Sequence, residues 1–213
     1  MALEGSRIRK IILDFVNFFD GSNVPYVLVD GLAVNTYGRL RTTMDADFII
    51  DHTKLHLDDF VDYLQRNDYE NTSQDLRLGL AEGTNITIWS GVFRVDIKGN
   101  YNNCAKKSLD LAHNVMLFGV VIKVVSPELL VLSKLCYGSE QDFEDAASIF
   151  MRLVSQKRFD VEFFEEIGQQ LKIDDRLALL DSLLNNHITA DVLDEQIDKL
   201  KPYTFETLDD FTG

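Results

Sequence analysis

Ile8, Ile11, Ile12, Phe15 and Phe19 recur at helical spacing, so residues 6–20 read as an amphipathic helix that Gly21-Ser22-Asn23 ends. Tyr26-Val27-Leu28-Val29 after Pro25 reads as a short buried strand, Asp30-Gly31 as a turn, and Leu32–Tyr37 as a short helix closed by Gly38. Asp45–Ile50 alternates and then runs apolar, as a strand does. A helix follows over about 54–66, with Leu57, Phe60, Val61 and Leu64 inward. Ile86–Trp89, Ser90-Gly91 and Val92–Ile97 read as a hairpin, and Met116–Val125 as a second strand pair turning at Phe118-Gly119.

At Ser126-Pro127-Glu128 the character changes. Serine suits an N-cap, proline the first helical position, and glutamate the positive end of a helix dipole. From there to about residue 200 the apolar positions are helical: Leu129, Leu132 and Leu135; Ala146, Ile149, Phe150 and Leu153; Phe164, Ile167 and Leu171. The order implies an α/β (α+β) first part, residues 1–125, and a helical C-terminal lobe, residues 126–213. The tail from Lys201 to Gly213 is acidic and aromatic and reads as loose or as docking a partner.

Composition narrows the class. At 213 residues and 46% hydrophobic content the chain can bury a sizeable core. The apolar run Val120–Val125 is broken by Lys123 and Met1–Arg7 holds no signal core, so the expectation is a cytoplasmic protein without a membrane span. Cys104 and Cys136 lack metal-type spacing and read as reduced thiols. His52 and His56 stand at i and i+4, one face if that stretch is helical, without a third ligand, which favours surface histidines. The net charge of −14 repels nucleic acid at long range. A nucleic-acid substrate would need a basic patch. Arg94, Lys98, Lys106 and Lys107, with Arg39 and Arg41, are the candidates, and ordinary solvated charge is the simpler reading.

Asp45-Ala46-Asp47 opens a strand, and residues i and i+2 of a strand share a face. Two carboxylates held that close repel unless a cation lies between them, and oxygen ligands favour magnesium. Asp96, within Phe93–Ile97, offers a third on another strand. If the strands adjoin, the three converge, as in two-metal phosphoryl transfer. The alternative is that Arg94 or Lys98 simply pairs with Asp96. Val27–Val34 reads as strand, turn and helix, with Gly31 and the helix N-terminus able to approach a phosphate.

Gly31-Leu32-Ala33-Val34, Tyr37-Gly38 and Arg41-Thr42-Thr43-Met44-Asp45-Ala46-Asp47, in that order, resemble the signature of small prokaryotic nucleotidyltransferases. Those are the abortive-infection toxin (AbiEii-like) enzymes and their relatives in the polymerase-beta-like superfamily. Val95-Asp96-Ile97 resembles their third-carboxylate strand. Ser126–Leu130 with Lys134, Asp142 and Asp145 resembles their helical motif; the likeness spans about residues 24–150. It implies a nucleotidyltransferase fold, with a mixed sheet, flanking helices and a helical lobe. The implied reaction moves a nucleotidyl group from an NTP to a hydroxyl on tRNA, protein or a small molecule. Asp45, Asp47 and Asp96 would be catalytic and would bind magnesium, as two ions. Asp30, Gly31, Arg41, Thr43 and Lys134 would bind nucleotide. The resemblance also implies a toxin with an antitoxin partner. One departure stands out: the family has Gly-Gly or Gly-Ser where this chain has Asp30-Gly31. Asp30 is then an extra metal ligand, a cap on the following helix, or a mark of weakened catalysis. In the last case the chain is an inactive NTP-binding or regulatory module on the same fold.

Overall fold

The computed structural model describes residues 2–70 and 73–203, with backbone alone for 2–6, 73, 190 and 191. The expectation for the tail lies outside the described residues from 204 on. The chain divides into two compact units. Of the described residues, one unit holds 2–32 and those in 42–125; the other holds 33–41 and 126–203. No helix among the described residues is long and apolar enough to cross a membrane.

The first unit carries α1 (Ala2–Gly21), β1 (Tyr26–Val29) and the first turn of α2 (Asp30–Tyr37). It continues with β2 (Asp45–Ile50), α3 (Leu57–Arg66), α4 (Ser73–Glu82), β3 (Ile86–Ser90), β4 (Phe93–Gly99), α5 (Asn103–Asp110), β5 (His113–Leu117) and β6 (Val120–Val124). The strands form one mixed six-stranded sheet flanked by helices, in the order β3-β4-β2-β1-β6-β5. β2 runs parallel to β4 and β1 parallel to β6; the other pairs are antiparallel.

The alternation of β2 and β4 decides what each face does. Ala46, Phe48 and Ile50, with Phe93, Val95 and Ile97, are buried. Phe48 meets Phe15 and Phe19 of α1 at ring centroid distances of 6.2 and 5.6 Å, and Phe15 lies 6.2 Å from Phe60 of α3. Burying a phenylalanine contributes about 1.5–3 kcal/mol, so this aromatic cluster clamps α1 and α3 to one face. The polar residues of β2 and β4 therefore share the opposite face.

Several expectations change. The helix over 54–66 is instead a 3-10 turn, His52–Lys54, followed by α3. The Asp51 carboxylate accepts from the Thr53 N–H at 3.2 Å and its hydroxyl at 2.7 Å, which tightens the turn before the helix starts. His52 and His56 thus share no helix. The His52 Nδ1 lies 2.7 Å from the Asn100 Oδ1, and His56 is exposed at the start of α3. α4 and α5 were not expected. The second strand pair begins three residues early, at His113, and turns at Phe118 and Gly119 with φ of 55° and 87°, the two left-handed residues of a hairpin turn.

The second unit holds the remainder of α2, then α6 (Pro127–Tyr137), α7 (Glu140–Ser155), α8 (Val161–Gln170), α9 (Asp174–Leu184) and α10 (Ala190–Ile197). Ser126 Oγ accepts from the Leu129 N–H at 3.3 Å and Pro127 opens α6, as expected. α7 begins with a capping box between Ser139 and Asp142. Gly38 follows α2 without a left-handed φ, so conformation is not its reason. A Cβ there would stand 2.5 Å from Ser148 Oγ and 2.8 Å from Ile149 Cγ1 of α7. Gly38→Ala is expected to lower stability by about 1–3 kcal/mol, read as a shifted denaturation midpoint, because the packed side chains must move. An unchanged midpoint would mean the contact yields freely.

Candidate active site

Thr43 sets the start of β2. Its hydroxyl accepts from the Asp45 N–H and donates to the Asp45 carbonyl, both at 3.2 Å. From that anchor the strand runs beside β4 with Asp45 opposite Arg94, Asp47 opposite Asp96, and Ile49 opposite Lys98. On the other side Val29 of β1 pairs with Asp47, and Thr87 and Trp89 of β3 pair with Asp96 and Arg94. Partners in register share a face, so Asp45, Asp47 and Asp96 project together with Arg94, Lys98, Thr87 and Trp89.

Two basic side chains answer this acidity. The Arg94 guanidinium reaches Asp45 Oδ2 at 3.1 Å through Nη2 and Asp96 Oδ2 at 3.0 Å through Nε. Thr87 donates its hydroxyl to the other Asp96 oxygen at 2.6 Å. Lys98 Nζ stands 3.8 Å from Asp30 Oδ2. Among the described residues Asp47 has no hydrogen-bond or ion-pair partner. Its pKa is pushed up from 3.8 to about 7, first by burial, then by the charge of Asp30, and further by Asp96 and Asp45, with Lys98 acting against them.

Asp30 therefore belongs to the same cluster. It opens α2 with φ 53°, a left-handed backbone that an aspartate adopts at some cost and a glycine at none. Gly31 follows it, buried in the first turn of α2.

The other expected site residues belong to the second unit. Arg41 Nε lies 3.3 Å from Asp145 Oδ2, and the Arg41 N–H and carbonyl are held by the Asn35 amide at 2.8 and 2.9 Å. Lys134 is buried, with Nζ 2.9 Å from Asp142 Oδ1. The first unit thus brings together Asp30, Gly31, Thr43, Asp45, Asp47 and Asp96, while Arg41 and Lys134 have carboxylate partners of their own. Arg94 as the bridge between Asp45 and Asp96, Thr87 as partner of Asp96, and Asp145 as anchor of Arg41 are additions. Of the six candidates for a basic patch, Arg94, Lys98, Arg39 and Arg41 each face a carboxylate.

Among the described residues no three acidic, histidine or cysteine side chains stand close enough to hold an ion. The Arg94 guanidinium contacts both Asp45 and Asp96. The donor chemistry nevertheless suits a hard divalent cation: carboxylate oxygens on one face, one of them unpartnered and destabilised by its acidic neighbours.

No family model matches the chain, and no curated protein does. Some solved structures resemble it. The lincosamide antibiotic adenylyltransferase LnuA, with lincomycin bound, shares 18% identity over 66% of this chain and 94% of its own, with a TM-score of 0.48. The antibiotic-resistance factor ANT(2'')-Ia shares 14% over 86% of this chain and 99% of its own, at 0.47. An antigenic nucleotidyltransferase-like protein from Paracoccidioides brasiliensis shares 16% over 68% and 74%, at 0.44. Likeness of that size says nothing of what this chain acts on.

Proposed function

We propose that the chain is a magnesium-dependent nucleotidyltransferase that moves a nucleotidyl group from an NTP to a hydroxyl. The observation that carries the reading is the register of β2 and β4, with Asp47 opposite Asp96 and Asp45 two residues away on the same face. The order of the motif around Gly31, Arg41, Thr43, Asp45 and Asp47 supports it. Asp45, Asp47 and Asp96 would hold magnesium, as two ions. Held by these carboxylates, magnesium would supply charge neutralisation at the transferred phosphate and would acidify the attacking hydroxyl. Asp96, oriented by the Thr87 hydroxyl, is the group to receive the hydroxyl proton. Gly31, at the first turn of α2, is where the backbone can approach the triphosphate.

A net charge of −14, with Arg94, Lys98, Arg39 and Arg41 engaged by carboxylates, favours a small-molecule or protein hydroxyl over RNA. The resemblance extends the proposal to the toxin of a toxin–antitoxin pair; growth arrest on induced expression, absent in Asp47→Ala, checks that part.

The test is incubation with NTPs labelled at the α-phosphate, magnesium, and cellular protein, RNA and small-molecule fractions. Label should move to one fraction, and both chelation and Asp47→Ala should abolish the transfer. Binding of NTP and magnesium without transfer to any fraction would sink the enzymatic reading. The non-catalytic module would then stand, a reading that Asp30 favours: its left-handed φ and its carboxylate lie where the related motif has a glycine.

A further inference from the structure

Arg94 occupies the two carboxylates that the proposed function gives to magnesium. It contacts Asp45 and Asp96 at once, at 3.1 and 3.0 Å, and its Nε makes no aligned hydrogen bond despite being buried. The guanidinium thus keeps one aligned hydrogen bond, from Nη2 to Asp45 Oδ2, and is held to Asp96 by charge alone, so only one directional bond is lost when it leaves. A divalent cation and Arg94 cannot share Asp45 and Asp96 without strong repulsion between the two cations.

Across β4 from Asp45, in the same row of the sheet, stands Trp89 of β3, paired in register with Arg94 on the same face and 43% exposed. An indole face accepts a guanidinium, by stacking and by attraction to its π-electrons. Arg94 therefore has a carboxylate resting place on one side and an aromatic one on the other, and a side chain long enough to change between them.

We propose that Arg94 is the built-in stand-in for the metal. It neutralises Asp45 and Asp96 while the site is empty of cation, and it moves onto Trp89 when a divalent cation takes those carboxylates. The exchange sets the cation affinity of the site, since every binding event must first break two ion pairs. The inference rests on the proposed function for the identity of the ion's ligands.

Trp89 is the only tryptophan in the chain, so its emission reports on Arg94 directly. The experiment titrates magnesium alone into the full chain, followed by calorimetry and by tryptophan fluorescence. In the unaltered protein magnesium should bind and change the Trp89 emission. In Arg94→Gln, which is shorter, stays polar and loses the charge, magnesium should bind at least ~10-fold more tightly, with the emission change mostly lost. The same variant without magnesium should melt at a lower temperature, its acidic cluster having lost a counter-ion. Unchanged or weaker magnesium binding in folded Arg94→Gln would overturn the inference and leave the metal site standing. So would magnesium binding to the unaltered protein with no change in emission. Absence of binding in both proteins would overturn the metal site and the inference together.

Discussion

Asp47→Asn is expected to abolish nucleotidyl transfer, by at least ~1,000-fold, while making the metal-free protein more stable at alkaline pH. The two effects share a cause. Asp47 is a partly buried carboxylate without a partner, facing Asp30, Asp45 and Asp96, and its pKa stands at about 7 against 3.8 unperturbed. A folded pKa above the unfolded one means that the folded state holds the proton more tightly. The stability this contributes is complete below pH 3.8 and is lost as pH rises through about 7. The shift corresponds to ~4 kcal/mol across that window. Above pH 7 asparagine avoids the charged cluster, so metal-free Asp47→Asn should exceed the unaltered protein by up to ~4 kcal/mol at pH 8 and match it near pH 4. Saturating magnesium should reverse the order at pH 8, because only the carboxylate gains from the cation. Denaturant midpoints at both pH values, with and without magnesium, measure all three. A variant less stable than the unaltered protein at pH 8 without magnesium would contradict the account.

Removing both Arg39 and Arg41 as Arg39→Ala/Arg41→Ala is expected to cost about 3–5 kcal/mol in the unit that holds α7. Asp145 is fully buried in that helix; Arg39 Nε lies 2.8 Å from one of its oxygens and Arg41 Nε 3.3 Å from the other. Arg39 also reaches Glu144 at 2.6 Å, but Glu144 is one-third exposed and can turn to water. Asp145 cannot, so losing both cations leaves a buried carboxylate unpaired. Adding Asp145→Asn to the double variant should recover most of the loss, since the buried charge goes with it. Urea unfolding of the three proteins reads the comparison. A double variant as stable as the unaltered protein would show that Asp145 finds water or another donor.

What the sequence disclosed followed from local pattern. Asp45–Ile50 alternates and then runs apolar, and the structure has β2 over those same residues. Ser126 and Pro127 mark a helix start because capping acts within four residues. Helices whose buried face is small escape such reading. α5 buries only Ala105 and Ser108 and is fixed by Asn102, whose Oδ1 accepts from the Ala105 N–H at 2.8 Å. α4 has little more, with Leu76 as its buried apolar side chain. β5 begins on exposed His113 and Asn114, where no apolar alternation announces a strand.

The cluster of carboxylates was half legible. That Asp45 and Asp47 share a face is fixed by the period of a strand. That Asp96 lies opposite Asp47 depends on β4 inserting between β3 and β2, a non-local choice that no short segment records. Arg94 was one of two basic residues able to pair with Asp96; only the register shows that it bridges to Asp45 as well. The departure at Asp30 was visible as a letter, and its left-handed φ gives the physical sense of a glycine there.

The central claim is that the side chains of Asp45, Asp47 and Asp96 act jointly on a magnesium–nucleotide complex. Its most direct test is calorimetric titration of a non-hydrolysable NTP with magnesium into the full chain and into Asp45→Asn, Asp47→Asn and Asp96→Asn. Binding in the unaltered protein, lost or weakened at least ~10-fold in each variant and in the absence of magnesium, is the predicted result. Equal binding in all four proteins, or binding indifferent to magnesium, would contradict it.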